Sequence, residues 1–370
     1  MKHIVTDAKI VIDARIINSS TGRYVERLLY YLQKIDKSNE YIILIPTKDK
    51  EYWKPTNKNF KIKFCDIPNY SITEQTKFKT FLEKINADLV HFCMPQQPLL
   101  YKGKTVTTFH DLTLIKTYND DKNWLIYHTK QLIGRWLFHK VAHKSTKIIT
   151  PTEFTKQELV KFAKIPSDKI AITYEATDIK AENAKSMKLP FNKFLLYVGK
   201  QSKYKNVRRL GEAHQILLKK YPDLGLVLTN TKDKAVFMNE SYFNNKKFTN
   251  IYFSGRVDDS ELAWLYSKCA CYVFPSLMEG FGLPGLEAMG LGAPVASSNA
   301  TCLPEVYGEG AIYFNPNDTD NIANTIDKIL SDEKLRKNLI KKGYEQFKKY
   351  SWQRCAEQTY EVYMEVLDGS

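Results

Sequence analysis

No run of about eighteen consecutive apolar residues occurs in the 370-residue chain, which excludes a membrane-spanning helix as a reading. Its opening, Met1-Lys2-His3-Ile4-Val5-Thr6-Asp7, also lacks the apolar core of an export signal. Together these absences predict a soluble, cytoplasmic protein. Cysteine is sparse. Of the six (Cys65, Cys93, Cys269, Cys271, Cys302 and Cys355) none has the CxxC spacing of a zinc or redox site, and most sit in apolar or β-branched stretches. Free core thiols in a reducing compartment are expected. Also missing are a short internal repeat, a low-complexity tract and the Gly-Lys-Ser or Gly-Lys-Thr ending of a nucleotide-hydrolysing P-loop.

What is present is positive charge: 55 Lys and Arg against 41 Asp and Glu, a formal +14. Such an excess suits nucleic acid, an anionic membrane surface or small phosphorylated substrates. The lysines are scattered over predicted helices and loops, as on a solvated surface. No nucleic-acid module is recognisable, so no nucleic-acid partner is expected.

The length exceeds one ordinary core, which predicts two domains. Short β-branched runs alternate with amphipathic stretches, the pattern of βα units around parallel sheets. In the first half, strands are expected at Ile10–Ala14, Tyr41–Pro46, Ile62–Cys65, Leu89–Phe92, Val106–Phe109, Ile148–Thr150 and Ile170–Thr173, with helices over Tyr24–Ile35 and Tyr127–Lys144. The polar stretch Asp178–Leu189, closed by Pro190, reads as a linker. The pattern then restarts with strands at Phe194–Val198, Leu226–Thr229, Ile251–Phe253, Tyr272–Phe274, Pro294–Ser297 and Ala311–Phe314. Two successive doubly wound domains, residues 1–178 and 190–349, would bring the carboxyl ends of both sheets to a shared cleft.

Chemistry concentrates in Pro275-Ser276-Leu277-Met278-Glu279-Gly280-Phe281-Gly282-Leu283-Pro284-Gly285-Leu286-Glu287-Ala288-Met289. An apolar strand leads into a glycine turn, and Pro284 is suited to open the next helix. Gly280 and Gly282 let backbone approach a ligand, and a helix N-terminus favours an anion such as a diphosphate. Glu279 and Glu287 suit the vicinal hydroxyls of a sugar and a ribose. For Glu287 a second reading stands beside this one, complementing the helix dipole from the first turn. A basic loop, Gly199-Lys200-Gln201-Ser202-Lys203-Tyr204-Lys205-Asn206, follows another strand and can neutralise a departing diphosphate, or can be three solvated lysines. His110 and Asp111 follow the strand Val106–Phe109; a lone histidine there is either structural or aimed at the cleft, and Asp111 either orients it or caps the next turn.

The spacing Glu279-x7-Glu287, within the longer run from Gly255-Arg256-Val257-Asp258 through Gly292-Ala293-Pro294-Val295 to Leu303-Pro304-Glu305-Val306, resembles the signature of glycosyltransferase family 4. Lys147–Thr155 is similar to the family's last amino-lobe strand, and Ser351-Trp352 to its terminal crossover, which implies that residues 350–370 pack back on the first domain. The resemblance implies the GT-B fold, two Rossmann-like domains facing an interdomain cleft, and a retaining, metal-independent transfer from a nucleotide-diphosphate sugar, with no cofactor. By the same resemblance His110, Glu279, Lys205 and Lys200 are the catalytic set, with Tyr204 standing where an arginine is frequent and Lys200 one place closer than usual. Gly280, Phe281, Gly282, Leu283, Glu287, Val257 and Gly22 are implied to bind the donor. Ser19-Ser20-Thr21-Gly22-Arg23-Tyr24 resembles the family's first glycine-rich turn with serines for glycines, and makes Ser20, Thr21, Arg23, Tyr24 and Asp111 candidates on the acceptor side.

The likeness leans toward members that use GDP-mannose in surface polysaccharide assembly, with UDP-hexoses as the alternative donor and a sugar-nucleotide epimerase as the more distant reading. A glycan or lipid-linked acceptor is implied, met by loops such as Pro95–Lys104 and Lys116–Lys122. Asp318-Thr319-Asp320 has the DxD spacing of metal-dependent transferases, but after Asn315-Pro316-Asn317 it reads as a helix cap, and no metal is expected. The stripe Trp124, Leu132, Trp136, Leu137 and Phe138, with Lys130, Arg135, Lys140 and Lys144, can lie on an anionic bilayer. Aromatic residues at helical spacing more often pack inward, so the stripe is expected in the core, with the basic face beside it for peripheral contact with an anionic membrane.

Overall fold

A computed structural model describes residues 7–19, 21–117, 124–179 and 184–369, with backbone alone for 124–130. The chain forms two compact units: Met1–Leu112 with Gln131–Glu175 and Ser351–Ser370, and Thr113–Lys130 with Ala176–Tyr350. The segment Thr113–Lys130, expected in the first domain, groups with the second unit, and the main passage into that unit falls between Glu175 and Ala176. The stretch expected as a linker lies within the second unit, where the Lys185 N–H donates to the Ser260 carbonyl at 3.0 Å.

The first unit carries β1 (Lys9–Asp13), β2 (Glu40–Ile45), β3 (Phe60–Phe64), β4 (Leu89–Phe92), β5 (Thr105–Thr108), β6 (Lys147–Thr150) and β7 (Ile170–Ile172). They form one parallel sheet in the order β3-β2-β1-β4-β5-β6-β7. The second unit carries β8 (Lys193–Val198), β9 (Leu224–Thr229), β10 (Ile251–Gly255), β11 (Cys271–Phe274), β12 (Val295–Ser298) and β13 (Ala311–Phe314), ordered β10-β9-β8-β11-β12-β13. Both are doubly wound sheets whose strand order reverses once, between β1 and β4 and between β8 and β11, and ligands of such sheets bind outside the carboxyl ends at that reversal. Central strands such as β4 and β11 are buried along their whole length, which explains their continuous apolar runs. All six cysteines are buried with free thiols.

The strand β5, Thr-Val-Thr-Thr, is polar yet buried, and the hydroxyls of Thr107 and Thr108 are hydrogen-bonded. Thr108 Oγ1 lies 3.1 Å from Tyr24 Oη and 2.8 Å from His91 Nε2, while His91 Nδ1 lies 2.6 Å from Tyr363 Oη. This chain of hydrogen bonds ties helix Gly22–Ile35, the sheet and the terminal helix Trp352–Asp368 into one unit. Burial holds the His91 ring neutral, its pKa pushed down to about 3.

One expectation is overturned. In helix Trp124–Lys144, Leu132, Ile133 and Trp136 are exposed, and within the described part of the predicted stripe Phe138 is buried and Leu137 half-buried. Of the stripe's described members only Phe138, edge to face with Phe109 at 5.5 Å, is buried; it shares its face with the buried Val141 and Ala142 three and four places on, whereas Leu132, Ile133 and Trp136 lie off that face. The side chain of Trp124 lies outside the described residues.

Candidate active site

In the second unit the two loops at the strand-order reversal are stitched together. After β8, residues 199–206 turn through a short 3₁₀ segment, Lys203–Lys205, into Asn206, whose φ is +61°. The Asn206 amide donates to the Pro275 and Pro316 carbonyls at 3.1 and 2.7 Å, and the Leu277 N–H donates to the Tyr204 carbonyl at 2.8 Å. This register brings the Lys205 ammonium to Glu279 Oε1 at 2.6 Å, an oxygen that also accepts from Ser276 Oγ at 2.5 Å. Two side chains 74 positions apart thus form one ionic unit. Lys200 is not part of that ion pair. Its side chain is exposed, and its backbone carbonyl accepts from Tyr197 Oη at 2.5 Å.

The glycine turn opens helix Leu283–Gly290, with Gly282 at φ +92° and Pro284 in the first turn. Gly280, Phe281 and Gly282 are buried, whereas Glu279, Leu283 and Pro284 are partly open to solvent. Of the two glycines expected to admit a ligand, Gly280 and Gly282, packing claims Gly282, and it claims the neighbouring Gly285 as well. A Cβ on Gly282 would lie 2.6 Å from Tyr307 Oη, and one on Gly285 would lie 2.3 Å from the Tyr307 ring. Tyr307 also donates to the Gly282 carbonyl at 2.5 Å. The signal available for this contact was the aromatic residue directly after Leu303-Pro304-Glu305-Val306. Glu287 falls beyond the first turn, which removes the dipole reading. It is 5% exposed and accepts from Tyr266 Oη at 3.1 Å and Thr177 Oγ1 at 3.4 Å. Val257, half-buried, lies between β10 and helix Asp259–Lys268.

In the first unit His110 follows β5. Both ring nitrogens face acceptors: Nδ1–H donates to Glu175 Oε1 at 2.8 Å and Nε2–H to the Cys93 carbonyl at 3.0 Å. Burial works against the charged ring, but the Glu175 carboxylate and the Cys93 carbonyl outweigh it and raise the pKa. An imidazole with both nitrogens donating is an imidazolium. The orienting partner is therefore Glu175, at the carboxyl end of the last strand region of this unit. The adjacent Asp111 adds only a further charge that favours protonation. Glu175 was missed because it lies 65 positions away and carries no motif.

The amino-terminal candidates separate. Ser20 lies outside the described residues. Thr21 precedes helix Gly22–Ile35 without a side-chain cap bond. Gly22 is buried, and a Cβ there would lie 1.8 Å from the Ile17 carbonyl oxygen, so packing alone demands glycine. Arg23 is exposed. Tyr24 is 3% exposed and meets the His110 ring edge to face at 4.7 Å, so it supports His110 from inside the unit instead of offering a surface to an acceptor. Asp318 caps helix Thr319–Ser331, accepting from the Asn321 N–H at 2.9 Å, as the cap reading expects.

These features agree with the comparisons. Residues 178–346 match the family model described as Glycosyl transferases group 1, and residues 21–181 that of Glycosyltransferase Family 4. The chain is 31% identical over 276 residues to O-antigen chain mannosyltransferase B of Escherichia coli, covering 70% of each chain. It is 30% identical over 286 residues to the serotype-specific mannosyltransferase WbdA of the same organism, spanning 72% of this chain and about a third of that protein (34%). Among solved structures, sucrose-phosphate synthase of Thermosynechococcus elongatus superposes with a TM-score of 0.77 at 18% identity, covering 98% of this chain and 100% of that one. Anabaena HepE, solved in complex with UDP and glucose, gives 0.71 at 14% identity over 96% and 99%. The doubly wound pair of sheets, the matching family models and a relative above 30% identity lead to one conclusion: the chain belongs to glycosyltransferase family 4 and is a glycosyltransferase of the GT-B fold.

Proposed function

We propose that the protein transfers mannose from GDP-mannose, with retention of anomeric configuration, to a glycan or lipid-linked acceptor in surface polysaccharide synthesis. The carrying observation is the Lys205–Glu279 pair at the strand-order reversal of the second sheet, 2.6 Å apart and partly open to solvent. Transfer breaks the bond between the anomeric carbon and the donor phosphate oxygen and forms one to an acceptor oxygen. Negative charge gathers on the leaving diphosphate, where Lys205 and the open rim of the glycine turn at Leu283 oppose it. Exposed Lys200 reaches in as a second, weaker cation. Glu279, relieved of Lys205 as the ammonium moves to phosphate, accepts hydrogen bonds from the sugar hydroxyls. Glu287 holds the ribose by exchanging its weak 3.4 Å contact from Thr177 for a ribose hydroxyl. His110, as imidazolium, contacts the transferred sugar. The acceptor proton passes to a phosphate oxygen as the acceptor enters on the departing face, so neither a side-chain base nor a metal ion is needed.

Mannose is favoured because the relatives at 30–31% identity are mannosyltransferases by name. For localisation, Leu132, Ile133 and Trp136 stand exposed on a helix that includes Arg135 and Lys140 and has no acidic residue from Trp124 to Lys144. This supports a cytoplasmic enzyme held peripherally at an anionic membrane. No helix among the described residues is long and apolar enough to cross a membrane. The test is a thermal-shift panel of GDP, UDP and ADP followed by transfer assays with GDP-mannose and UDP-glucose. Selective stabilisation by GDP and mannosyl transfer are expected; stabilisation by UDP alone would replace the donor, and none by any nucleotide would remove the reading.

A further inference from the structure

The second unit holds a cavity of about 400 Å³ at the amino end of helix Val207–Leu218, beside helix Lys234–Asn245. Its lining includes Gln201, Lys203, Arg208, Arg209, Glu212 and Tyr242, and none of Lys205, Glu279 and Glu287. It is therefore distinct from the Lys205–Glu279 pair, although the same loop feeds both.

Gln201 supplies the observation that points to a ligand. It is 3% exposed, and its Oε1 and backbone carbonyl accept from the Asn239 amide at 3.2 and 3.1 Å. Its Nε2 is a buried donor with no protein acceptor. Native structures seldom leave such a donor unmatched. Around it, two guanidinium groups are held by neutral acceptors instead of carboxylates. Arg208 Nε donates to Asn239 Oδ1 at 2.9 Å, with the group 4.8 Å over the Tyr242 ring. Arg209 Nη1 donates to Asn206 Oδ1 at 3.0 Å and the Pro316 carbonyl at 2.9 Å. Among the described residues neither arginine forms an ion pair. The one carboxylate in the lining, Glu212, is occupied by the hydroxyls of Tyr242 at 2.6 Å and Thr319 at 3.4 Å. Two prepositioned guanidinium forks at the positive end of a twelve-residue helix match the geometry of phosphate. The volume is that of a small-molecule pocket.

We infer that this cavity binds a small organic phosphate, with the phosphoryl group between Arg208 and Arg209 and an oxygen of the ligand accepting from Gln201 Nε2. The site stands independently of the proposed donor. The experiment is isothermal titration of the full chain with inorganic phosphate and with mannose 1-phosphate, alone and with saturating GDP. Saturable binding that persists with GDP present is expected, with mannose 1-phosphate binding more tightly than phosphate. Arg209→Gln and Gln201→Leu should each weaken it about tenfold or more, and Lys205→Ala should leave it unchanged. Circular dichroism establishes that each variant is folded. If Arg209→Gln does not fold, Arg208→Gln, measured in the same way, takes its place. Competition by GDP, loss in Lys205→Ala, indifference to the cavity variants or absence of binding would each overturn the inference. The first two would transfer the phosphate to the donor site and leave the proposed transferase reading standing.

Discussion

The loops that follow the first strand of each sheet, after β1 and after β8, occupy the same topological place and are built in opposite ways. After β1, Arg15 is sealed with its partners: Asp13 at 2.7 Å and Glu74 at 2.8 Å, with side-chain exposures of 2% for Arg15, 6% for Asp13 and 1% for Glu74. Its guanidinium also donates to the Ile67 carbonyl at 2.9 Å and lies 3.8 Å over Phe78. Every group has a partner, and no water need enter. After β8, Lys205 and Glu279 form a pair at 16% and 11% exposure, on a flexible ammonium stem instead of a planar fork. The first arrangement fixes a loop; the second can exchange its partner for a ligand.

This contrast can be broken by experiment. Arg15→Met leaves two carboxylates buried without their cation and should destabilise the first unit by about 3–5 kcal/mol, read from denaturant unfolding. Lys205→Met should cost the second unit about 1 kcal/mol or less, since solvent reaches the pair. Equal losses would show the two ion pairs to be of one kind. In activity the order reverses: Lys205→Ala should lower turnover about 10²–10³-fold, equivalent to about 2.7–4 kcal/mol, and near-normal rates would count against the diphosphate role.

Gly282→Ala forces a left-handed residue against Tyr307 and should destabilise the second unit by about 1–3 kcal/mol. Tyr307→Phe, which loses only the bond to the Gly282 carbonyl, should cost about 0.5–1.5 kcal/mol. If the alanine variant is as stable as wild type while its donor affinity drops, the glycine serves the ligand and not the packing.

The two histidines of the first unit sharpen the comparison further, because their environments push in opposite directions from the ordinary value of 6.5. His110 is raised, so its contribution is whole below pH 6.5 and is lost as pH rises through the folded-state value. His91 is lowered to about 3, so its contribution is whole above pH 6.5 and is lost as pH falls toward that value. Stability of the first unit should therefore peak near the ordinary histidine value across about pH 5 to 8. Glu175→Gln should bring the His110 titration down in a ring-proton NMR experiment, and no movement would separate the two groups. The smallest effect is expected at Trp136→Ser, which should shift stability by no more than about 0.5 kcal/mol yet reduce sedimentation with vesicles rich in anionic lipid. Unchanged vesicle binding would remove the membrane role of that helix.

Several of these features were legible before folding was known. The strand positions follow from β-branched periodicity to within about two residues, and the glycine turn with its two glutamates follows from a contiguous run, because neighbours in sequence remain neighbours in a turn. The aromatic stripe was misread because helical spacing reports only whether residues can share a face, and not whether another element covers it. Glu175 could not be found, since its role exists only once β7 lies beside β6 and its end reaches His110.

The sequence alone determined the two series of βα units, the basic loop and the glycine turn, and with them the family, because these depend on local periodicity and short-range spacing. Tertiary structure decided which lysine meets Glu279, which carboxylate charges His110 and why Gly282 and Gly285 must be glycine. Each of those depends on contacts between residues from 22 to 74 positions apart, set by parallel strand register and helix packing that no local pattern encodes.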